Sequence, residues 1–319
     1  MTNKERYQDI CEQRHNDVPL FLQYWWMEAV CQGKAWDVAL AYDGDRLSAV
    51  LPYLYGRKLG MTYILQPQLT QYGGPLYFYP EGLTESRRLD FENRAAQCLI
   101  AQIAQHRPAF VRLHCPPSVT NWLPFFWSGY SQTTRYTYRL PDISDPERLF
   151  MNFDKEKRQR KIRRFEAVTS VRFDLDAESF ADMHRRYWND KGKADLLPRD
   201  LIVRLCSSAI GRGHGVIASL HDKEGRVLMA RFVAFDANCA YSLMSAANTA
   251  LHRSGHSETL MWTMLKYLSD KTKAFDFEGS MDPGVEFFYR SFGAVQTPFF
   301  QLTKCYNGLL DVLLKFKKL

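Results

Sequence analysis

The order of segments in the first half of this 319-residue chain recurs in the second half, and that repetition restricts the fold more than any single motif does. Residues 36–55 (WDVALAYDGDRLSAVLPYLY) read as strand, turn and strand, with Asp43-Gly44-Asp45 supplying turn chemistry between two β-rich runs. Residues 215–235 (GVIASLHDKEGRVLMARFVAF) read the same way around Asp222-Lys223-Glu224-Gly225. Each hairpin follows a segment of helical periodicity, near 20–31 and 199–211. Downstream, a long helical segment leads into a short strand and then an aromatic helix. These are residues 85–106, 110–115 (FVRLHC) and 122–129 (WLPFFWSG) in the first half, and 254–271, 275–280 (FDFEGS) and 285–293 (VEFFYRSFG) in the second. The pattern predicts an α/β chain with mixed sheets, made of two related domains. The segment PDISDP at 141–146 breaks both periodicities, so the domains are expected at 1–143 and 144–319.

Composition excludes several classes. No apolar run approaches the ~20 residues needed to span a bilayer, and the opening MTNKERYQD is too polar for a secretory signal, so a cytoplasmic protein is expected. Seven cysteines stand singly without a C-x-x-C pair, and eight histidines include no H-E-x-x-H, so neither a disulfide framework nor a metal site is expected. A formal net charge of +7 favours an anionic partner without naming it.

The most informative local segment is Phe275-Asp276-Phe277-Glu278-Gly279-Ser280, followed by Pro283-Gly284-Val285-Glu286-Phe287-Phe288-Tyr289-Arg290-Ser291-Phe292-Gly293. It resembles the D-F-x-G … F-K-x-x-F-G signature of the FemAB group. The surrounding layout resembles the GNAT acyltransferase superfamily, doubled as in FemAB-like aminoacyltransferases and BioF2-like acetyltransferase domains. The basic segment at Ile162-Arg163-Arg164 also resembles that family. The resemblance implies two tandem GNAT-like domains and transfer of an acyl or aminoacyl group to an amine, with a cell-envelope or peptidoglycan precursor as one acceptor class. It implies a donor lying where the strands before and after the 254–271 helix splay apart. The GNAT phosphate turn reads Q/R-x-x-G-x-G/A, whereas this chain has His252-Arg253-Ser254-Gly255-His256-Ser257. His252 and Ser257 depart from that pattern, so the donor is left open between acyl-CoA and aminoacyl-tRNA.

Residue chemistry assigns candidate roles. The turn at Arg253, Ser254, Gly255, His256 and Ser257 opens a helix whose first N–H groups lack intrahelical partners, which suits a phosphate; the alternative is an ordinary capped helix. Ser254 or Ser257 is expected as its cap, with Glu258 out of step for a capping box. Tyr289 occupies the position that resembles the general-acid tyrosine of GNAT enzymes, or is simply a half-buried aromatic. Glu278 and Asp276 share one strand face and are candidates for the base, with Asp282 behind them; the alternative is the polar side of an edge strand.

Residues 155–164 (KEKRQRKIRR) form the densest charge run, and Lys161, Arg163 and Arg164 are expected to meet an anionic substrate or tRNA. The competing reading is a solvated face, or a non-catalytic protein binding RNA or another anionic polymer through this run. Tyr72, in the Gly-rich loop 68–75 (QLTQYGGP), is a candidate for the acceptor cleft. The tail 309–319 (LLDVLLKFKKL) is apolar and basic at helical spacing, suited to peripheral contact with a membrane surface or to docking on its own core. The first half lacks the Asp/Glu pair and the helix-opening Gly turn, so it is expected to be a structural copy.

Overall fold

A computed structural model describes residues 1–279 and 282–307. Within these the chain divides into two compact units, residues 1–135 with 298–307, and residues 136–297.

In the first unit, α1 (Asn3–Gln13) and α2 (Tyr24–Cys31) precede the hairpin β1 (Trp36–Asp43) and β2 (Arg46–Lys58), paired antiparallel from Trp36↔Leu54 to Asp43↔Arg46. Next come β3 (Met61–Leu65), the short β4 (Leu76–Tyr77), α3 (Glu85–Gln105), β5 (Phe110–His114) and α4 (Leu123–Trp127). The long α3 carries the chain back so that β5 pairs parallel with β3, through Tyr63↔Phe110 and Ile64↔Val111. Leu99 and Ile103 of that helix pack with Leu51, Ile64 and Val111 of the strands into one core.

The second unit takes residues 136–140 of β6 (Ser131–Leu140), then α5 (Pro146–Met151), a π-helical turn (Lys155–Gln159), α6 (Arg160–Glu166), β7 (Ser170–Arg172), α7 (Ala177–Asp190) and α8 (Arg199–Gly211). A meander of β8 (Gly215–His221), β9 (Val227–Phe235) and β10 (Cys239–Ala247) follows, then α9 (His256–Leu268), β11 (Ala274–Asp276), α10 (Pro283–Arg290) and β12 (Val295–Cys305). The strand order is β6-β11-β10-β9-β8-β7. Only the β10–β11 pair is parallel, as a crossover through α9 requires. Leu260, Met261, Met264, Leu265 and Leu268 are fully buried, so α9 is the main support of the sheet, each such side chain contributing about 1.5–3 kcal/mol by burial.

Both copies of helix, hairpin, helix, strand and helix are present. The units part at 135/136 rather than at the expected 143/144, because residues 139 and 140 already pair with β11, through Asp276↔Arg139 and Phe275↔Leu140. Residues 301–305 return to the first unit to pair with β5. Turn punctuation at PDISDP marks the end of a strand, which need not coincide with the border between two cores. The tail at 309–319 lies outside the described residues. No described helix is long and apolar enough to cross a membrane.

Candidate functional site

Sequence placed Asp276 and Glu278 on one strand, and the structure makes that strand interior, between β6 and β10. The parallel ladder runs only from Cys239↔Ala274 to Tyr241↔Asp276, while β10 continues to Ala247. From Ser242 onward β10 therefore has no β11 partner. Phe277 turns its N–H to the carbonyl of Tyr138 at 2.9 Å, and Phe275 and Phe277 are fully buried in the core.

The chain leaves the sheet at Glu278 with φ +65°, a left-handed conformation that L side chains adopt at a cost of about 1–2 kcal/mol. Asp276 holds it there. Its Oδ1 accepts the Glu278 N–H at 2.8 Å and the hydroxyl of Thr137, and its Oδ2 lies 3.7 Å from Arg139 Nε. With its carboxylate fully buried and occupied in this way, Asp276 positions Glu278 instead of acting as a second base. Glu278 Oε1, by contrast, is buried with no hydrogen-bond partner. Removal from water, reinforced by the neighbouring Asp276 charge, pushes its carboxyl well above the ordinary range.

The short α10 is capped by Asp282, whose Oδ1 accepts from the N–H groups of Gly284 (2.8 Å) and Val285 (3.1 Å). That cap, not proton transfer, is the visible role of Asp282. The helix lays Tyr289 on Phe277, ring centroids 5.0 Å apart, and near Tyr138 at 6.1 Å. Burial raises the Tyr289 phenol above its usual value; Arg231 pulls it down, and Glu278 and Asp276 push it up. A phenol so placed stays protonated at neutral pH and is a donor.

Arg231, on β9, is the residue that sequence reasoning missed. It is 8% exposed, donates through Nη1 to Ser242 Oγ, and leaves Nε without a partner. The signal was present: one cation stands inside the otherwise apolar strand VLMARFVAF.

The expected phosphate turn is closed. The cap of α9 is Gly255, at φ +112°, not Ser254 or Ser257, and Glu258 is in step with it, its Oε2 accepting the Gly255 N–H at 3.0 Å. A Cβ at Gly255 would lie 2.3 Å from the Phe165 ring, so that ring sits directly over the turn. Arg253 N–H donates to His256 Nδ1 (3.1 Å), and His252 Nε2 lies 3.2 Å from Ser257 Oγ. Burial lowers both histidines, leaving them neutral at physiological pH. A pyrophosphate arriving at Gly255 meets a carboxylate and an aromatic ring, so the turn in this conformation does not fit coenzyme A.

Of the cations in the basic run only Arg158 is buried and Lys161 half-buried, while Lys155, Lys157, Arg160, Arg163 and Arg164 are exposed. Arg158, 4% exposed, pairs with the buried Glu258 at 2.9 Å and lies over the rings of Phe288 (4.5 Å) and Phe292 (5.2 Å). Lys161 reaches Glu258 (3.1 Å) and Ser254 Oγ (2.8 Å), so it secures the turn and is not left for a substrate. Arg163 and Arg164 are exposed, over Phe150 and Phe165. Tyr72, expected at a cleft, is buried in the first unit, edge-on to Phe21 and Phe299. His184 is clamped on both ring nitrogens, by Asp195 at 2.8 Å and Trp188 Nε1 at 3.2 Å, which ties α7 to the loop after it and leaves no free nitrogen for catalysis. Among the described residues no group of His, Cys, Asp and Glu is placed to hold a metal ion.

Comparison with known proteins fits this geometry. The Acetyltransferase (GNAT) domain family matches residues 155–284, which include Arg231, Ser242, Asp276 and Glu278. That segment, less than half of the chain, is similar to a GNAT domain. The match ends ahead of Tyr289. Over nearly the whole chain the fold is similar to those of solved structures that include a tandem GNAT protein. FemX is similar at 13% identity over 98% of each chain, with a TM-score of 0.72. The C-terminal domain of a putative lysylphosphatidylglycerol synthetase from Agrobacterium fabrum is similar at 10% identity, over 94% of this chain and 91% of that one, with a TM-score of 0.59. A tandem GNAT protein from the clavulanic acid biosynthesis pathway is similar at 11% identity, over 95% and 94%, with a TM-score of 0.53. No curated protein matches the sequence significantly.

Proposed function

We propose that the second unit transfers an acyl or aminoacyl group from an activated ester or thioester to an amine. The observation that carries this reading is the Glu278 carboxyl, whose Oε1 is buried without a hydrogen-bond partner among the described residues, on a residue fixed by Asp276 where the β10–β11 ladder stops. A proton acceptor with a raised affinity for protons belongs there if an amine must lose a proton during attack.

In this scheme the amine nitrogen attacks the acyl carbonyl, the C–N bond forms, and ionised Glu278 takes the proton from nitrogen. The carbonyl oxygen becomes an oxyanion, for which N–H groups along β10 beyond Tyr241, where the β11 ladder has ended, are the candidate donors; such a donor contributes ~3 kcal/mol. Collapse breaks the bond to the departing oxygen or sulfur, and Tyr289 supplies its proton. The first unit serves as a structural partner, since its counterpart strand reads Phe110-Val111-Arg112-Leu113-His114 and carries no carboxylate.

The filled turn at Gly255 supports a donor that seats no pyrophosphate there, which favours aminoacyl-tRNA over acyl-CoA. The lysylphosphatidylglycerol named for the Agrobacterium relative supports a cell-envelope acceptor. The alternative, an RNA- or polymer-binding protein without catalysis, loses Arg158 to the core and rests on the exposed Lys155, Lys157, Arg160, Arg163 and Arg164. The test is transfer from labelled aminoacyl-tRNA and from labelled acyl-CoA to a panel of amines. Product from either donor supports the proposal; no product and no donor binding with both removes it.

A further inference from the structure

Arg231 stands apart from the other cations held inside the second unit. Arg158 pairs with Glu258 at 2.9 Å, and Arg139 lies 3.7 Å from Asp276. Arg231 forms no ion pair with a described residue, and among the described residues its Nε has no acceptor. Burying a guanidinium without a counter-charge is among the more costly arrangements a fold can contain. A strand that reads Val227–Phe235 and is buried on both sides would fold more easily with an apolar side chain at 231.

What the arrangement provides is a planar set of donors held in one orientation. Nη1 is fixed on Ser242 Oγ, which prevents the guanidinium from turning, and the Nε edge remains unmet. Ser242 accepts in that bond, so its own hydroxyl proton is left to donate beside the fork. Two or three donors in a plane match the paired oxygens of a carboxylate or a phosphate, and one buried cation balances the single charge of a carboxylate. The place is also right. Arg231 pairs with Ser245 in the β9–β10 ladder, on the stretch of β10 beyond Tyr241 where the β11 ladder has stopped, and its charge acts on the phenol of Tyr289 together with those of Glu278 and Asp276.

We propose that Arg231 binds a carboxylate carried by the acceptor, so that the acceptor is an amino acid or a peptide-like amine bearing a nearby carboxylate and not a plain alkylamine. This deepens the transfer reading and rests on it: the carboxylate seats on Arg231 and Ser242, and the amine a few bonds away reaches Glu278.

The full-length protein and its Arg231→Met and Arg231→Lys variants test this in two ways. The first uses matched acceptors, L-lysine against cadaverine and L-alanine against ethylamine, with whichever donor supports transfer. Wild type is expected to favour the carboxylate-bearing member by about 100-fold in kcat/KM, Arg231→Lys to keep part of that preference, and Arg231→Met to lose it. No preference in wild type, or the same preference in Arg231→Met, overturns the proposal. An equal loss on both members of a pair also overturns it, because the arginine then serves the oxyanion.

The second needs no chemistry. Thermal unfolding is followed in sodium acetate and in sodium chloride at equal ionic strength. Acetate should raise the melting temperature of wild type and leave Arg231→Met unmoved, and in chloride Arg231→Met should melt above wild type. A variant that melts lower, with acetate shifting both proteins alike or neither, makes Arg231 structural and ends the proposal. An acetate shift specific to wild type, with no transfer to any amine, keeps the carboxylate site and discards the transferase.

Discussion

Asp276 accepts the backbone N–H of Glu278 through Oδ1 at 2.8 Å, a bond across two residues that keeps Glu278 left-handed at φ +65°. The same oxygen takes the Thr137 hydroxyl, so the aspartate links β6 to the point where the chain leaves β11. Asp276→Ala removes that acceptor and leaves its two donors, the Glu278 N–H and the Thr137 hydroxyl, without it, for an expected loss of about 2–4 kcal/mol in stability and at least tenfold in transfer. Asp276→Asn keeps an oxygen at that place and should retain most of the stability. Because the Asp276 charge raises Glu278, the Asn variant should also move the acid limb of the pH profile downward. Chemical denaturation and a pH–rate series check the pair.

Glu278 couples stability to pH. Its folded carboxyl is raised above the value it has when unfolded, so the folded state holds the proton more tightly. That contribution is fully present below about pH 4.5 and is lost as pH climbs through the raised folded value. Glu278→Gln cannot ionise. Its melting temperature should therefore exceed that of wild type more at pH 8 than at pH 5; a gap that stays constant or narrows with pH contradicts the assignment.

Tyr289→Phe keeps the ring on Phe277 and removes only the hydroxyl. Folding should be preserved within about 1 kcal/mol, while transfer falls by about 10²–10³ as a general acid is lost. A better leaving group on the donor should restore part of the rate. Unchanged turnover would withdraw the role.

Arg158 and Glu258 form a buried pair beneath the α9 turn. Removing Glu258 strands Arg158, and Glu258→Ala should cost about 3–5 kcal/mol; Arg158→Met leaves Glu258 on Lys161 and the Gly255 N–H and should cost less. Reversing Arg160 and Arg163, both exposed, should change stability by no more than about 0.5 kcal/mol each. Any test of RNA binding through this run belongs on those two positions. If their reversal abolishes function while Tyr289→Phe does not, the binding-protein reading prevails.

The sequence made the doubled layout readable because hairpins and crossover helices leave periodic signatures, and the parallel β10–β11 pair followed from the helix between them. The site was only partly readable. Glu278 and Tyr289 stand out through local pattern, but separating Glu278 from Asp276 needed the interior place of β11, which depends on residues 136–140 pairing from far away in sequence. Gly255 looked like an anion site because local pattern shows a helix opening; that Phe165 and Glu258 fill it depends on the packing of α6. Tyr72 looked available because it lies in a Gly-rich loop, although its ring packs into the first core. Arg231 was in plain view as one cation among apolar neighbours, yet strand periodicity alone does not say that it stays unpaired.

The most direct measurement is the pH dependence of transfer in wild type and in Glu278→Gln. Wild type should show a rate that climbs with pH along a limb lying well above the ordinary carboxylate range, and the Gln variant should be slower by about 10²–10⁴ and lack that limb. A Gln variant that keeps the wild-type rate and profile would show that Glu278 is not the proton acceptor, and the proposed site would fall with it.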